Sequence, residues 1–385
     1  MLVRLSWLLQ LFTLVTFARA SSGSSQASTP GVIAFHPASF PKNTARCKAT
    51  NRKENTTKDI EIRYVEINPH TERTIIMVHG WPGLWTNWAH QIRELQNDYH
   101  IIAPDHRGFG TSSHPGDVES SGTMADLVGD LVCVLEDANV DSAICLGHDW
   151  GAQVCWEAAR MRPEVIEAVA AAVVPYIHAA GPFTPTSALV EQLPRLAYQL
   201  YFQDKTDAAV KELDKDVRRT LRAVYRSVDS PPPEKFLTST DYFLEDYGDE
   251  IEPIPFMTDE EEDYLVQQYS IQGFKNTLQF YTYGNRYAAW KFAHFQRNYT
   301  LPQPALAIYP TLDPVADWKT VEKLLHSDQF IPKLAVETLP AAHWVQLEKP
   351  VEFNAILRKW LSTLPPRPPR EKKWRGEGKH LSDEL

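Results

Sequence analysis

From residue 60 to residue 175 short apolar runs alternate with longer segments of helical periodicity. Ile60–Asn68 (IEIRYVEIN) reads as a strand. Thr74–His79 (TIIMVH), His100–Pro104 (HIIAP) and Ser142–Gly147 (SAICLG) are short and apolar without polar alternation, the pattern of strands buried on both faces. Glu167–Pro175 (EAVAAAVVP) predicts another strand, and Thr123–Asp137 and Ala152–Met161 predict helices. Buried strands separated by helices imply a parallel sheet covered on both faces.

The rhythm breaks after residue 175. Residues 176–295 are rich in Tyr, Phe, Asp and Glu, with helical periodicity and no clear buried strand. Thr258-Asp-Glu-Glu261 is a capping box opening a helix, and Pro231–Pro233 and Pro253–Pro255 mark loops. The strand pattern returns at Ala305–Tyr309 (ALAIY) and Leu334–Leu339 (LAVETL). The layout predicts an α/β core in two parts, 45–175 and 296–362, interrupted by a helical cap at 176–295. There is no internal repeat.

The two ends read differently. MLVRLSWLLQLFTLVTFARA has a basic start at Arg4, an apolar stretch Leu5–Phe17 and a small-x-small ending Ala18-Arg19-Ala20, the pattern of a signal peptide over 1–20. A membrane span needs about 20 apolar residues, and Ser6, Gln10 and Thr13 dilute this one, so no stable span is expected after cleavage. A Ser/Gly-rich stretch falls in the extension 21–44. The Pro-rich basic tail 363–385 ends in Ser382-Asp-Glu-Leu385, which differs from a K-D-E-L retention signal at its first position only. Together they predict residence in the endoplasmic reticulum lumen through a retention receptor, or secretion where retention is weak. Asn55-Thr-Thr and Asn298-Tyr-Thr are then usable glycosylation sequons.

Composition narrows the function classes. Of 385 residues, 43% are hydrophobic and 23% charged, which excludes a disordered chain, a fibre and a polytopic membrane protein. The net charge of −10 argues against nucleic acid as a partner. Four cysteines in so long a chain are no disulfide scaffold. Eleven Trp and fifteen Tyr are material for an apolar small-molecule site.

The chemistry concentrates where SAICLG runs into Gly147-His-Asp149-Trp-Gly151-Ala152 and then a helix. This is the strand–turn–helix setting of a nucleophile elbow, with Asp149 where a serine hydrolase has Ser. A carboxylate there attacks an sp3 carbon and leaves an alkyl–enzyme ester. His79-Gly-Trp81-Pro82 follows the TIIMV strand, so the backbone amides of Trp81 and Trp150 are the expected oxyanion donors. In chain order the triad acid and base follow the nucleophile. Asp313 lies just beyond ALAIYP and His343 just beyond LAVETLP; Asp317 is a rival for the acid, further past its strand. His343 would deprotonate water with Asp313 orienting its ring. His106 and His148 are expected to be structural, and Asp105 and Arg107 to brace a turn. There is no H-E-x-x-H, no C-x-x-C and no P-loop, so no metal or cofactor is implied.

The motifs HGWP (79–82), DHRGFG (105–110), GHDWGA (147–152) and HWVQLEKP (343–350) resemble the epoxide hydrolases of the α/β-hydrolase fold over residues 45–362. The cap segments Tyr198–Gln203 and Gly273–Tyr281 resemble the soluble, cytosolic-type branch. The resemblance implies an α/β-hydrolase fold, a small-molecule epoxide and water as substrates, and two cap tyrosines on the epoxide oxygen. By motif these fall on Tyr198 and Tyr281. Phe280 and Thr282 depart from the family's usual neighbours, which leaves Tyr283 as an alternative to Tyr281.

Two rivals share features with this reading. A haloalkane or haloacid dehalogenase would use the same Asp149 but needs halide donors such as indole N–H groups. A non-catalytic binding protein on the same fold predicts losses in the triad, and none is visible. Finally, Cys133, Cys145 and Cys155 sit in apolar contexts and Cys47 apart from them; the expectation is that none forms a required disulfide.

Overall fold

The computed structural model describes residues 35–366. The expected signal peptide, the extension before Phe35 and the tail from residue 367 with its SDEL ending lie outside the described residues. The strands are β1 (Lys42–Asn51), β2 (Thr56–Ile67), β3 (Thr74–Val78), β4 (His100–Pro104), β5 (Ala143–His148), β6 (Ile166–Ala172), β7 (Ala305–Pro310) and β8 (Leu334–Leu339). They form one sheet in the order β1-β2-β4-β3-β5-β6-β7-β8. From β4 to β8 all pairs are parallel, whereas β1, β2 and β4 pair antiparallel.

The apolar runs account for this order. β3, β4 and β5 are buried at every position and occupy the centre. They are covered by helices including α1 (Ala89–Leu95), α2 (Met124–Asp137), α3 (Trp150–Met161) and, after the last strand, α11 (Val345–Glu348) and α12 (Pro350–Leu361). α2 starts at Thr123, whose side chain accepts the amide of Asp126 while the Asp126 carboxylate accepts the Thr123 amide. It buries Leu127, Leu131 and Leu135, one helical stripe against the sheet. Losing any of these side chains to Ala costs about 2–5 kcal/mol.

β1 (KNTARCKATN) went unread in the sequence, and the expected boundary at residue 45 falls inside it. It is an edge strand whose outward positions are solvated, so only alternate residues such as Ala45, Cys47 and Ala49 are apolar and buried. Between β6 and β7 lie α4 (Thr186–Gln192), α5 (Ala197–Asp204), α6 (Thr206–Lys215), α7 (Val217–Val224), α8 (Asp259–Tyr269) and α9 (Tyr283–Gln296). α8 opens on the reciprocal Thr258–Glu261 cap. α10 (Trp318–Leu325) separates β7 from β8. Among the described residues no helix is long and apolar enough to cross a membrane.

The cysteine expectation is corrected. Cys47 on β1 is bonded to Cys133 on α2, and Cys145 on β5 to Cys155 on α3, with Cα–Cα separations of 5.9 and 5.5 Å. Apolar context marked Cys133, Cys145 and Cys155 as buried; this holds for Cys145 and Cys155, while Cys133 is only partly buried, and burial does not name a neighbour. The neighbours follow from topology: α2 packs under β1, and the tight turn at residue 149 folds α3 back along β5.

Candidate active site

The strand order reverses direction between β3 and β5: the chain moves from β3 to β4 on one side, then crosses to β5 on the other. Such a switch point opens a crevice at the carboxyl ends of the strands. The turn after β3 (His79–Pro82), the turn after β5 (Asp149), the loop after β7 (Asp313) and the loop after β8 (His343) all leave the sheet at this edge. Four residues distant in sequence are thereby brought to one place.

Asp149 sits at the apex of the β5–α3 turn with φ 54° and ψ −123°, a conformation uncommon for a residue with a Cβ. The turn is possible because its flanks are glycine. A Cβ on Gly147 would stand 2.3 Å from the Gly151 carbonyl oxygen, and one on Gly151 would stand 2.2 Å from that of Val78. The strained turn thrusts the carboxylate into the crevice. There the Trp81 amide donates to Oδ1 at 3.0 Å. Burial pushes the Asp149 carboxyl up; the nearby His343 and the backbone amides of Trp150 and Trp81 oppose this without cancelling it.

His343 Nδ1 hydrogen-bonds Asp313 Oδ2 at 2.8 Å, and its Nε2 lies 3.7 Å from Asp149 Oδ2. Burial lowers the imidazole's affinity for its proton, but the charge and hydrogen bond of Asp313, with the charge of Asp149, outweigh it and leave the pKa raised. Asp313 is itself fixed by the Val315 amide at 2.8 Å and by the Trp318 indole N–H at 2.6 Å. Asp317, the rival acid, caps α10 through the Thr320 amide instead.

The remaining loop residues are structural. Gly80 O takes a hydrogen bond from His79 Nδ1 (2.8 Å), whose Nε2 accepts the His106 amide at 3.1 Å. Burial holds His79 down at about 4, hence neutral, as these two roles require. His148 Nε2 donates to the His343 carbonyl at 2.9 Å. Arg107 forms a two-pronged ion pair with Asp130 on α2, at 2.6 and 2.7 Å, and Asp105 accepts the Trp85 amide and pairs with Lys42.

Two buried phenols, Tyr198 on α5 and Tyr281 just before α9, have ring centroids 5.8 Å apart and lie near enough to Asp149 to feel its charge. Tyr281 is 1% exposed and lies edge-on to Trp81 and Trp150. Tyr283, the alternative, is 49% exposed and stacks on Tyr287 along α9, outside the crevice. Burial pushes the Tyr198 phenol up to about 12 and raises Tyr281 well above the ordinary phenol value, so both hold their protons at neutral pH.

The chain matches the alpha/beta hydrolase fold family over residues 73–350. It is 31% identical over 315 residues to epoxide hydrolase A of Mycobacterium tuberculosis, spanning 80% of this chain and 96% of that one. The chain belongs to the epoxide hydrolases of the α/β-hydrolase fold. It is also 29% identical over 307 residues to bifunctional epoxide hydrolase 2 of Rattus norvegicus, covering 79% of this chain but only 54% of that longer protein. Among solved structures, epoxide hydrolase A from Mycobacterium thermoresistibile superimposes with a TM-score of 0.71 at 28% identity, over 85% of this chain and 100% of that one.

Membership of the epoxide hydrolases agrees with the state of two indoles, those of Trp81 and Trp150. A halide site needs a free indole N–H, but Trp81 Nε1 donates to Thr277 Oγ1 at 3.0 Å, and the Trp150 side chain hydrogen-bonds with Tyr281. Sequence reading missed Thr277, which ties the loop His79–Pro82 to the segment before α9. It also missed Trp318, Gln199 and Arg286. The one signal available was position: Gln199 adjoins Tyr198, and Trp318 follows Asp313 by five residues.

Proposed function

We propose that this chain hydrolyses a lipophilic epoxide to a vicinal diol through an ester on Asp149. Asp149 Oδ2, the oxygen not held by Trp81, attacks a ring carbon. The C–O bond breaks, and the departing oxygen takes a proton from the phenol pair, Tyr198 and Tyr281. His343 then removes a proton from water, which attacks the ester carbonyl. The tetrahedral oxyanion forms on Oδ1, where the Trp81 and Trp150 amides stabilise it. Its collapse releases the diol, whose leaving oxygen takes the proton of the newly formed acid and so restores the Asp149 carboxylate, and the proton held by His343 returns to the phenolate. Asp313 holds His343 in the tautomer whose Nε2 is free to accept.

The observation that carries this reading is the arrangement: a carboxylate with one oxygen held by an amide and the other turned to a histidine, near two protonated phenols that feel its charge. Preference for lipophilic substrates rests on the crevice wall. Trp81, Phe202 and Phe243 interlock with centroids 4.9–6.0 Å apart, and Phe280 stacks on Trp150 at 5.5 Å.

The test is a single turnover of a styrene-type epoxide in oxygen-18 water. The ester route predicts a first diol free of label and oxygen-18 in Asp149. Label in the first diol would mean direct attack by water and would remove Asp149 from its role.

We further infer residence in the endoplasmic reticulum lumen, with glycosylation at Asn55 and Asn298. The reading rests on the signal-peptide pattern, the SDEL ending and the exposure of both asparagines. Two disulfides add support, since such bonds persist in oxidising compartments. Deleting Ser382–Leu385 should send the protein to the medium, and an unchanged distribution would refute retention.

A further inference from the structure

Arg286 on α9 is a cation placed behind the phenol pair. Its Nε donates to the Phe280 carbonyl at 2.9 Å, Nη1 to Thr186 Oγ1 at 2.8 Å and Nη2 to Gln199 Oε1 at 2.8 Å. Its Cζ lies over the Trp150 ring at 5.0 Å and near the Tyr281 ring at 5.7 Å. Among the described residues no carboxylate forms an ion pair with it. The titratable groups whose charge it feels are Tyr281 and Tyr198. Gln199 Nε2 in turn reaches the Tyr198 hydroxyl oxygen at 3.2 Å.

The logic of this chain is directional. A guanidinium has donors only, so it can meet Gln199 only through the amide oxygen. That fixes which way the amide faces, and the amide nitrogen must therefore donate to Tyr198. The Tyr198 oxygen is occupied as an acceptor on that side, and its single proton is left for the other, where in the resting site the hydroxyl hydrogen-bonds with Tyr281. We infer that Arg286, acting through Gln199, is the positioning residue that commits the Tyr198 proton to the opening epoxide oxygen, and that its charge favours the alkoxide as it forms. This rests on the ester reading above.

Two considerations agree with the assignment. Burial brings the guanidinium down to about 10, so it stays charged at neutral pH. Thr186 Oγ1 donates onward to Gln203 Oε1 at 3.1 Å, which leaves it an acceptor for Arg286 and anchors the far end of the cation. A partly buried charge facing aromatic rings instead of a carboxylate is costly to keep. It is suited to a site where negative charge appears only during the reaction.

The experiment separates ester formation from ester hydrolysis by rapid quench and protein mass analysis, across pH. It compares wild type, Arg286→Met, Gln199→Ala and Gln199→Glu, using a styrene-type epoxide. Arg286→Met should slow ester formation roughly 10- to 100-fold and leave hydrolysis of the ester by His343 unchanged. Loss of the cation makes the phenols harder to ionise, so the alkaline limb of ester formation should move to higher pH. Gln199→Glu should be slower than Gln199→Ala, although it retains an Arg286 partner, because a carboxylate takes the Tyr198 proton for itself. Ester formation in Arg286→Met and Gln199→Glu within about twofold of wild type would overturn the inference. So would equal losses in both steps, or Gln199→Ala proving slower than Gln199→Glu. A wild type that turns over epoxide without an Asp149 ester would overturn the reading beneath it instead.

Discussion

Nε2 of His343 stands 3.7 Å from Oδ2 of Asp149, beyond hydrogen-bonding distance, while its other nitrogen is held at 2.8 Å by Asp313. In the proposed cycle the histidine contributes nothing to ester formation and everything to water activation. His343→Gln should therefore form the Asp149 ester at near the native rate and then stall. One equivalent of covalent adduct, visible by mass, should accumulate while turnover falls roughly 10²–10⁴-fold. Loss of ester formation itself would contradict this division of labour.

The pH dependence follows from the same triangle. The pKa of His343 is raised: burial lowers it, but Asp313 and Asp149 outweigh that. The resting enzyme should therefore hold its His343 proton to a pH above the ordinary imidazole value of about 6.5, whereas as a base in the ester the ring must be unprotonated. Esterification removes the Asp149 charge and with it one of the raising influences. The acid limb of ester hydrolysis should accordingly lie below the value for free His343, which NMR titration of the resting enzyme would give. Asp313→Asn should shift the limb down further while lowering the rate. Asp317→Ala is the control: it removes a helix cap, costing about 1 kcal/mol of stability, and should leave the pH profile in place.

The two phenols make a separable prediction. Tyr198→Phe and Tyr281→Phe should each slow ester formation, and the double variant should slow it more than either, because one phenol can still protonate the alkoxide when the other is gone. Tyr283→Phe should match wild type, since that side chain is 49% exposed on α9. Quenched-flow rates with one epoxide test all four. A defect in Tyr283→Phe equal to that of Tyr281→Phe would reverse the assignment.

How much of this was legible in the sequence depends on whether a residue's role is local or set by topology. β3, β4 and β5 announce themselves because burial on both faces leaves an unbroken apolar run. The strand-to-helix turn at Asp149 was legible because so tight a turn demands glycine at 147 and 151, a constraint written within five residues. β1 was not, since an edge strand with solvated alternate positions looks like loop. Nor were the disulfide pairs: each joins elements whose contact is decided by the sheet, not by local pattern. Arg286 and Gln199 lie 87 positions apart and meet only when α5 and α9 pack over the crevice. Pattern could expect helices between β6 and β7, but not the contacts among them.

Gly151 carries the steric demand of the elbow in its plainest form. A methyl there would lie 2.2 Å from the Val78 carbonyl oxygen and 2.5 Å from that of His79. Both are backbone atoms of the strand and loop that position the Trp81 amide, so neither yields without displacing the oxyanion donors. Gly151→Ala should lose stability by about 1–3 kcal/mol, the range for overpacking. It should also slow ester hydrolysis more than ester formation, because the amides act most strongly on the tetrahedral oxyanion. Thermal denaturation together with the two single-turnover rates would show whether both losses occur.

The two disulfides can be told apart by their effects. Cys47–Cys133 spans 86 residues and pins the edge strand to α2, far from the chemistry. By loop-closure entropy a bond of that span contributes about 4.6 kcal/mol, so Cys47→Ser/Cys133→Ser should lower the denaturation midpoint and leave kcat nearly unchanged. Cys145–Cys155 spans only 10 residues, and closure entropy gives it about 3 kcal/mol. Its position matters more: it ties β5 to α3 on either side of the turn that holds Asp149. With that tie gone, nothing covalent but the turn itself opposes relaxation of the φ 54° conformation at Asp149. Cys145→Ala/Cys155→Ala should therefore lose activity out of proportion to stability. Thiol titration in denaturant gives the starting check, with no free thiol before reduction and four after it. A Cys145/Cys155 double variant with native kcat would show that the strand and the helix hold the elbow without their bond.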